Sequence, residues 1–171
     1  MLSNGLNSGP QFHDFARGSW RLNRTLRYVK GGLSGSFAGT AKFQPPVAGP
    51  GVSNSKTLLY SEEGSFTVEE SKQVLKAYRS YLFRCDAYPV KVYFVLKKDP
   101  LDVGDFFHDL EFSTSENGST AKWNAAFEHL CVKDLYSGRF SVHDDDSFEW
   151  NWRIVGPKKD GEICTHYTRI E

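Results

Sequence analysis

The chain has 171 residues, enough for one domain with a substantial core and too few to require a second. Lysine plus arginine number 21 and aspartate plus glutamate 21, a formal net charge of zero, which argues against a surface built to track nucleic-acid phosphates or to hold an anionic membrane. Aromatic residues at 15% favour strands and a bulky interior, and three irregularly spaced cysteines, Cys85, Cys131 and Cys164, exclude a disulfide framework and point to a reducing compartment, cytoplasmic or nuclear.

Residues 1–10 have neither the apolar centre nor the arginine richness of a targeting segment and read as a flexible N-terminus, with one domain over residues 11–171. No apolar run approaches the length of a membrane-spanning helix. Pro10 to Ala16 predicts a short helix, docked by Phe12 and Phe15 and stopped at Arg17-Gly18. From there the period changes to two. Trp20, Leu22, Arg24, Leu26 and Tyr28 share one face of a strand, with Arg21, Asn23, Thr25 and Arg27 on the other. Gly31-Gly32 turns the chain into a second strand, Gly35 to Phe43, whose glycines predict close backbone approach or a bulge, and Pro45 to Ser55 is an excursion that is long for a compact domain.

Strands are then expected over Thr57 to Ser61, Ser65 to Glu69, Leu75 to Cys85, Val90 to Lys97 and Asp105 to Phe112. Glu62-Glu63-Gly64 is read as a turn between the first two. After a polar stretch from Ser113 to Thr120 come Ala125 to Val132, Arg139 to His143, Phe148 to Val155 and Glu162 to Arg169. Turns are expected at Ser137-Gly138, at Asp144 to Asp146 and from Gly156 to Gly161. Nothing calls for a crossover helix. The fold class is all-β: a single antiparallel up-and-down barrel of about 8–10 strands with a short N-terminal helix, closure removing the exposed edges.

Gly18-Ser19-Trp20 opens the first strand and Arg169 closes the last. This pairing resembles the calycin superfamily of lipocalins and fatty-acid-binding barrels, and the resemblance implies that Trp20 packs beneath Arg169 to close the barrel floor. The wider set is similar to an uncharacterised calycin-like domain family of unknown function seen in bacteria and fungi. It comprises Gly39-Thr40-Ala41-Lys42-Phe43, Tyr60 with Glu62 and Gly64, Tyr81 with Arg84, Phe107-His108, Ala126 to Cys131 with Asp134 and Tyr136, Trp152, Gly156 to Asp160 and Tyr167-Thr168-Arg169. That resemblance spans nearly the whole chain from Gly18. It implies the barrel and supplies no activity.

The reactive side chains cluster in the C-terminal half. Alternation places His129 and Cys131 on one face, where imidazole and thiolate could serve a ligand, a metal or nucleophilic chemistry, with His108 as the best third contributor. No close His-x-His or Cys-x-x-Cys pair supports a metal, and none is expected; a buried histidine beside an ordinary core cysteine is the plainer reading. Asp134 could orient His129 or simply bond turn amides, and Tyr136 could donate to a ligand oxygen. Tyr81 and Arg84, an odd number apart, cannot both face inward; if Arg84 does, it calls for an anionic ligand. Glu62 reads as solvated, and Lys158, Lys159 and Asp160 as a charged hairpin tip with an anion-recognising lip as the alternative. Phe148, Trp150, Trp152 and Ile154 form a core stripe that could also line a cavity.

The leading expectation is a small-molecule binder whose lumen uses Arg84, His108, His129, Cys131, Tyr136, Trp152 and Tyr167, with no nucleic-acid or membrane partner and no assigned cofactor. The rival is an enzyme for a small anionic substrate, with His129 as general acid or base and Asp134 or Tyr136 assisting. A haem-binding barrel and an interaction module using the Pro45-to-Ser55 loop complete the alternatives. Hydrolase elbows, phosphate-cradling loops and dinucleotide fingerprints are missing from the sequence.

Overall fold

The computed structural model describes residues 5–47, 56–95, 103–116 and 118–170. Helix α1 (Gly9–Ala16) begins where the Ser8 hydroxyl accepts the Gln11 N–H at 3.3 Å, with Pro10 in the first turn, where its missing N–H costs nothing. It buries Phe12, Phe15 and Ala16 and ends at Arg17, before Gly18 takes up φ +130°.

Among the described residues eleven strands follow: β1 (Gly18–Lys30), β2 (Gly35–Gln44), β3 (Thr57–Val68), β4 (Val74–Arg84), β5 (Val90–Val95), β6 (Val103–Leu110), β7 (Ser113–Thr114), β8 (Trp123–Cys131), β9 (Asp134–Asp144), β10 (Ser147–Val155) and β11 (Asp160–Ile170). They form one antiparallel sheet in the order β6-β5-β4-β3-β2-β1-β11-β10-β9-β8-β7. Chain-order neighbours pair, and β1 meets β11 in register Trp20 opposite Arg169. The sheet curls until β6 faces β8. Among the described residues no backbone ladder joins these two edges. Side chains bridge the seam instead: the His129 Nδ1–H donates to the Phe107 carbonyl at 3.1 Å, and the His108 ring stacks on Phe127 at 3.8 Å.

Alternation governs what each strand buries. Trp20, Leu22 and Arg24 on β1, Phe37, Ala41 and Phe43 on β2, and Leu58, Tyr60 and Glu62 on β3 all point inward. Glycine has a packing reason at Gly39 and Gly64, paired across β2 and β3: a Cβ on Gly39 would stand 2.2 Å from the Glu63 carbonyl oxygen.

The end closed by α1 is solid. Phe12 stacks on Phe83 and Phe112, each at 5.8 Å, and Phe148 is sandwiched between Phe140 at 4.6 Å and Tyr167 at 4.2 Å. Trp20 Nε1–H donates to the Ala16 carbonyl at 2.9 Å. Arg169 lies 4.1 Å over the Trp20 ring while its Nη atoms donate to the Phe15 and Arg17 carbonyls at 2.8 and 3.2 Å. One guanidinium thus caps the helix C-terminus and covers the tryptophan.

Three local expectations change. Residues 5–10 do not form a free lead-in: Leu6 is fully buried and its carbonyl accepts from the Tyr88 hydroxyl at 3.2 Å. Glu62-Glu63-Gly64 is no turn but the middle of β3, because Glu62 has an internal cation to pair with. Ser137-Gly138 lies within β9, the turn being Val132-Lys133; the Phe127 ring occupies the space where a Gly138 side chain would sit. Most of the Pro45-to-Ser55 excursion and the end of the strand expected to reach Lys97 lie outside the described residues.

Candidate functional site

Beneath the open end of the barrel lies a buried polar floor. Arg24 from β1 makes a two-pronged ion pair with Glu62 of β3, at 2.6 and 2.7 Å, and its Nε–H donates to the Thr165 hydroxyl of β11 at 2.8 Å. The Tyr60 hydroxyl donates to Glu62 and lies 2.9 Å from the Tyr167 hydroxyl. Burial alone would raise the Glu62 pKa, but the bonds and charge of Arg24 outweigh it and hold the carboxyl below its ordinary range. Burial also works against the Arg24 cation; the bond to Glu62 together with the charges of Glu62 and of the Tyr167 and Tyr60 oxygens more than restores it. Tyr60 and Tyr167 are pushed up by burial and stay neutral.

Two clefts open above this floor and share Tyr28, Tyr78, Arg79 and Lys159. The smaller, about 290 Å³, reaches down to Arg24, Phe37 and Glu62. The larger, about 520 Å³, is walled by Tyr81, Phe94, Phe107, Trp152 and Tyr136, with His129 and Cys131 on the β8 side. Among the described residues no carboxylate lines it, and the two formal charges they place there are both positive. Arg79 is enclosed by the walls yet reached by solvent, and its cationic form is favoured first by the neighbouring Tyr81 phenol and then, against burial, by Glu62. Lys159 donates to the Tyr136 hydroxyl at 3.0 Å, which raises its pKa. His129 has committed Nδ1–H to the Phe107 carbonyl, so Nε2 is the ring nitrogen left for a ligand.

Of the residues singled out in the sequence, His129, Cys131, Tyr136 and Trp152 come together on the larger cleft. The others go elsewhere. Arg84 is exposed on the outer face with its guanidinium 5.0 Å over Tyr93, because Tyr81 and Phe83 take the inward positions of β4. His108 is core rather than lining: Nδ1–H donates to the Asp109 carbonyl at 3.0 Å, Nε2 is buried without a partner, and burial lowers its pKa to about 3. Tyr167 belongs to the floor network. Asp134 does not orient His129; its carboxylate accepts the backbone N–H groups of Lys158 and Lys159 at 3.0 and 3.2 Å, pinning the β10–β11 turn to the β8–β9 turn. Glu62, expected in water, anchors the floor. Among the described residues no three His, Cys, Asp or Glu side chains gather as a metal-binding group.

Arg79 is the cleft cation that residue-by-residue reading passes over; its signal is the spacing of two from Tyr81, which shares its face. Lys159 reads in the sequence as part of a charged hairpin tip with an anion-recognising lip as the alternative, and its reach into the cleft depends on how the turn is pinned by Asp134.

A helix-plugged, up-and-down antiparallel sheet of this kind is a calycin-like β-barrel. Within that class the chain belongs to the Family of unknown function DUF6314, whose model matches residues 16–169. No curated protein matches it in sequence. Among solved structures it is similar to the S-type phycobiliprotein lyase CPES of Guillardia theta, with TM-score 0.60 at 14% identity over 96% of this chain and 93% of that one. It is similar also to Rv2717c of M. tuberculosis, with TM-score 0.59 at 11% identity over 95% and 98% of the two chains. At such identities the likeness is one of fold. Among the described residues no helix is long and apolar enough to cross a membrane.

Proposed function

We propose that the protein binds a small, flat, anionic organic molecule at the open end of the barrel. The observation that carries this is the charge of the larger cleft: Arg79 and Lys159 face a space walled by aromatic rings, and among the described residues no carboxylate lines that space to balance them. A cleft of about 520 Å³ falls in the range of ordinary ligand sites. Ring walls suit a planar conjugated body, while guanidinium and ammonium groups suit its acidic substituent. His129 Nε2 and the Tyr136 hydroxyl, across one ladder rung from each other, would set orientation. The structural likeness to a protein named as a phycobiliprotein lyase supports reading a barrel of this shape as a scaffold for a functional site.

Titration with the anionic fluorophore 8-anilinonaphthalene-1-sulfonate and with its uncharged relative N-phenyl-1-naphthylamine tests the reading. The anionic probe is expected to bind more tightly, and Arg79→Gln with Lys159→Gln to weaken it about tenfold or more while leaving the neutral probe unchanged. Equal affinity for both probes, or an unchanged double variant, overturns it.

A further inference from the structure

The four described turns around the open end form one continuous rim. The Glu69 N–H donates to the Ser34 carbonyl at 2.9 Å, joining the β3–β4 turn to the β1–β2 turn. Gly31 lies so close to the Lys158 carbonyl that a Cβ would meet it at 2.1 Å, joining β1–β2 to β10–β11, and Asp134 ties β10–β11 to β8–β9. This rim carries most of the large apolar side chains that are exposed among the described residues. Val29, Leu33, Val74, Leu130, Val132 and Val155 all stand in water.

Val132 is the most telling of them. It occupies the first position of the two-residue β8–β9 loop at φ +60°, a left-handed conformation that ordinarily calls for glycine and that a β-branched residue adopts only under strain. The side chain gained at that cost is 76% exposed, so packing within the chain does not explain it. Interleaved with these tips, among the described residues, are five lysines, Lys30, Lys72, Lys76, Lys133 and Lys158, besides Lys159 turned onto Tyr136, against four carboxylates, Glu69, Glu70, Asp134 and Asp160. Two of those four are already engaged, Asp134 by turn amides and Asp160 by Arg153. Net neutrality of the whole chain therefore hides, among the described residues, a cationic, apolar-tipped rim at one end.

We propose that this rim docks the open end of the barrel on an anionic lipid surface, the valine and leucine tips entering the headgroup region and the lysines pairing with lipid phosphates. The complementarity is of two kinds at once, as interfacial binding requires: apolar area to insert and cations to hold the surface. A protein partner would be expected to offer a shaped acidic counter-surface, whereas discrete apolar points on a ring of lysines match a fluid one. The inference goes beyond the ligand assignment and does not depend on it. A mouth seated in this way faces the bilayer, so an amphiphilic anion could pass into the clefts without crossing water.

Co-sedimentation of the full chain with vesicles tests it. Binding is expected to vesicles of equal parts phosphatidylcholine and phosphatidylglycerol and to be much weaker with phosphatidylcholine alone. Val132→Asp, a change at an exposed tip, is expected to weaken binding about tenfold, and Lys133→Glu to weaken it and reduce its salt dependence. Val132→Trp reports insertion directly, through a blue shift of its emission on adding the mixed vesicles. No binding to the mixed vesicles at low salt overturns the proposal. So does loss of binding on Lys133→Glu with none on Val132→Asp and no blue shift, which would mean mere charge attraction; capture by an acidic protein instead of vesicles would assign the rim to a protein partner.

Discussion

Acidification from about pH 7 to about pH 5 is expected to remove about 2 kcal/mol of stability through His108 alone. In the fold this imidazole is 1% exposed, with Nδ1–H on the Asp109 carbonyl and Nε2 facing no donor, and burial lowers its pKa from 6.5 to about 3. An unfolded chain takes up the proton near the ordinary value, so between the two pKa values the unfolded state binds about one proton more and stability rises with pH. The slope is about 1.4 kcal/mol per pH unit, so the 1.5 units below 6.5 give about 2 kcal/mol, levelling off only near pH 3. His108→Phe removes the titration while keeping a ring to stack on Phe127. At neutral pH that variant loses one hydrogen bond worth about 1 kcal/mol and relieves an unpartnered buried nitrogen worth about 1–3 kcal/mol, so it should be neutral or slightly stabilising. Urea unfolding followed by tryptophan emission across this pH window, with the slope m held constant between variants, measures both effects. If the wild type and His108→Phe lose stability in parallel as pH falls, the imidazole is not the group responsible and the reasoning fails.

Glu62→Gln leaves Arg24 as a buried cation without its anion and is expected to cost about 3–5 kcal/mol in urea unfolding, toward the lower figure because water reaches Arg24 through the smaller cleft. Arg24→Met combined with Glu62→Leu should recover most of that loss; a double variant as unstable as the sum of the singles would contradict the pairing. The Glu62 carboxyl, lowered below 4.5 by Arg24 against burial, adds an acid limb: its stabilisation is present above about pH 4.5 and lost as pH falls through the folded value, and Glu62→Gln should lack that limb. Arg169→Lys keeps the charge but loses the planar fork over Trp20 and the two helix-terminal carbonyls, and should lower stability by about 1–3 kcal/mol in thermal unfolding; an unchanged midpoint would mean the cap is idle.

The barrel was legible because alternation is a local signal. Each strand states its inward face in its own residues, and the helix announces itself by Pro10 and the phenylalanine spacing. Trp20 and Arg169 could be paired in advance only through the calycin resemblance. What alternation alone could not show is compensation across strands. Trp20-Leu22-Arg24 already set an arginine on the apolar face, and Leu58-Tyr60-Glu62 did the same for a glutamate once β3 is read through, yet the two are 38 residues apart and neither segment contains its answer. Read locally, Glu62-Glu63-Gly64 has turn chemistry; pairing with Arg24 overrides it. The Tyr81-Arg84 ambiguity was resolved by neighbours in the same way, since Phe83 had to join the aromatic core. His108 and His129 looked like pocket residues by type, and sequence could not show that they hold a seam where the two sheet edges lack a ladder.

How each cation is spent separates scaffold from site. Arg24 directs three nitrogens to Glu62 and Thr165, and Arg169 gives its donors to carbonyls, so neither has much left to offer a ligand. Among the described residues Lys159 is held by a phenol, and Arg79 shares the field of a carboxylate that Arg24 already grips. Two such charges could not persist in a dry, ring-walled space, because an unpaired buried cation is far more costly than a surface one. They are tolerated because the open end keeps them wet. On the proposed reading, a molecule that fills the cleft and expels that water would supply negative charge in its place, and a neutral or cationic occupant would leave both cations unpaired. With Arg24 and Glu62 locked together beneath, the charge of Arg79 and Lys159 stays at the open end, which is where the proposed ligand would enter.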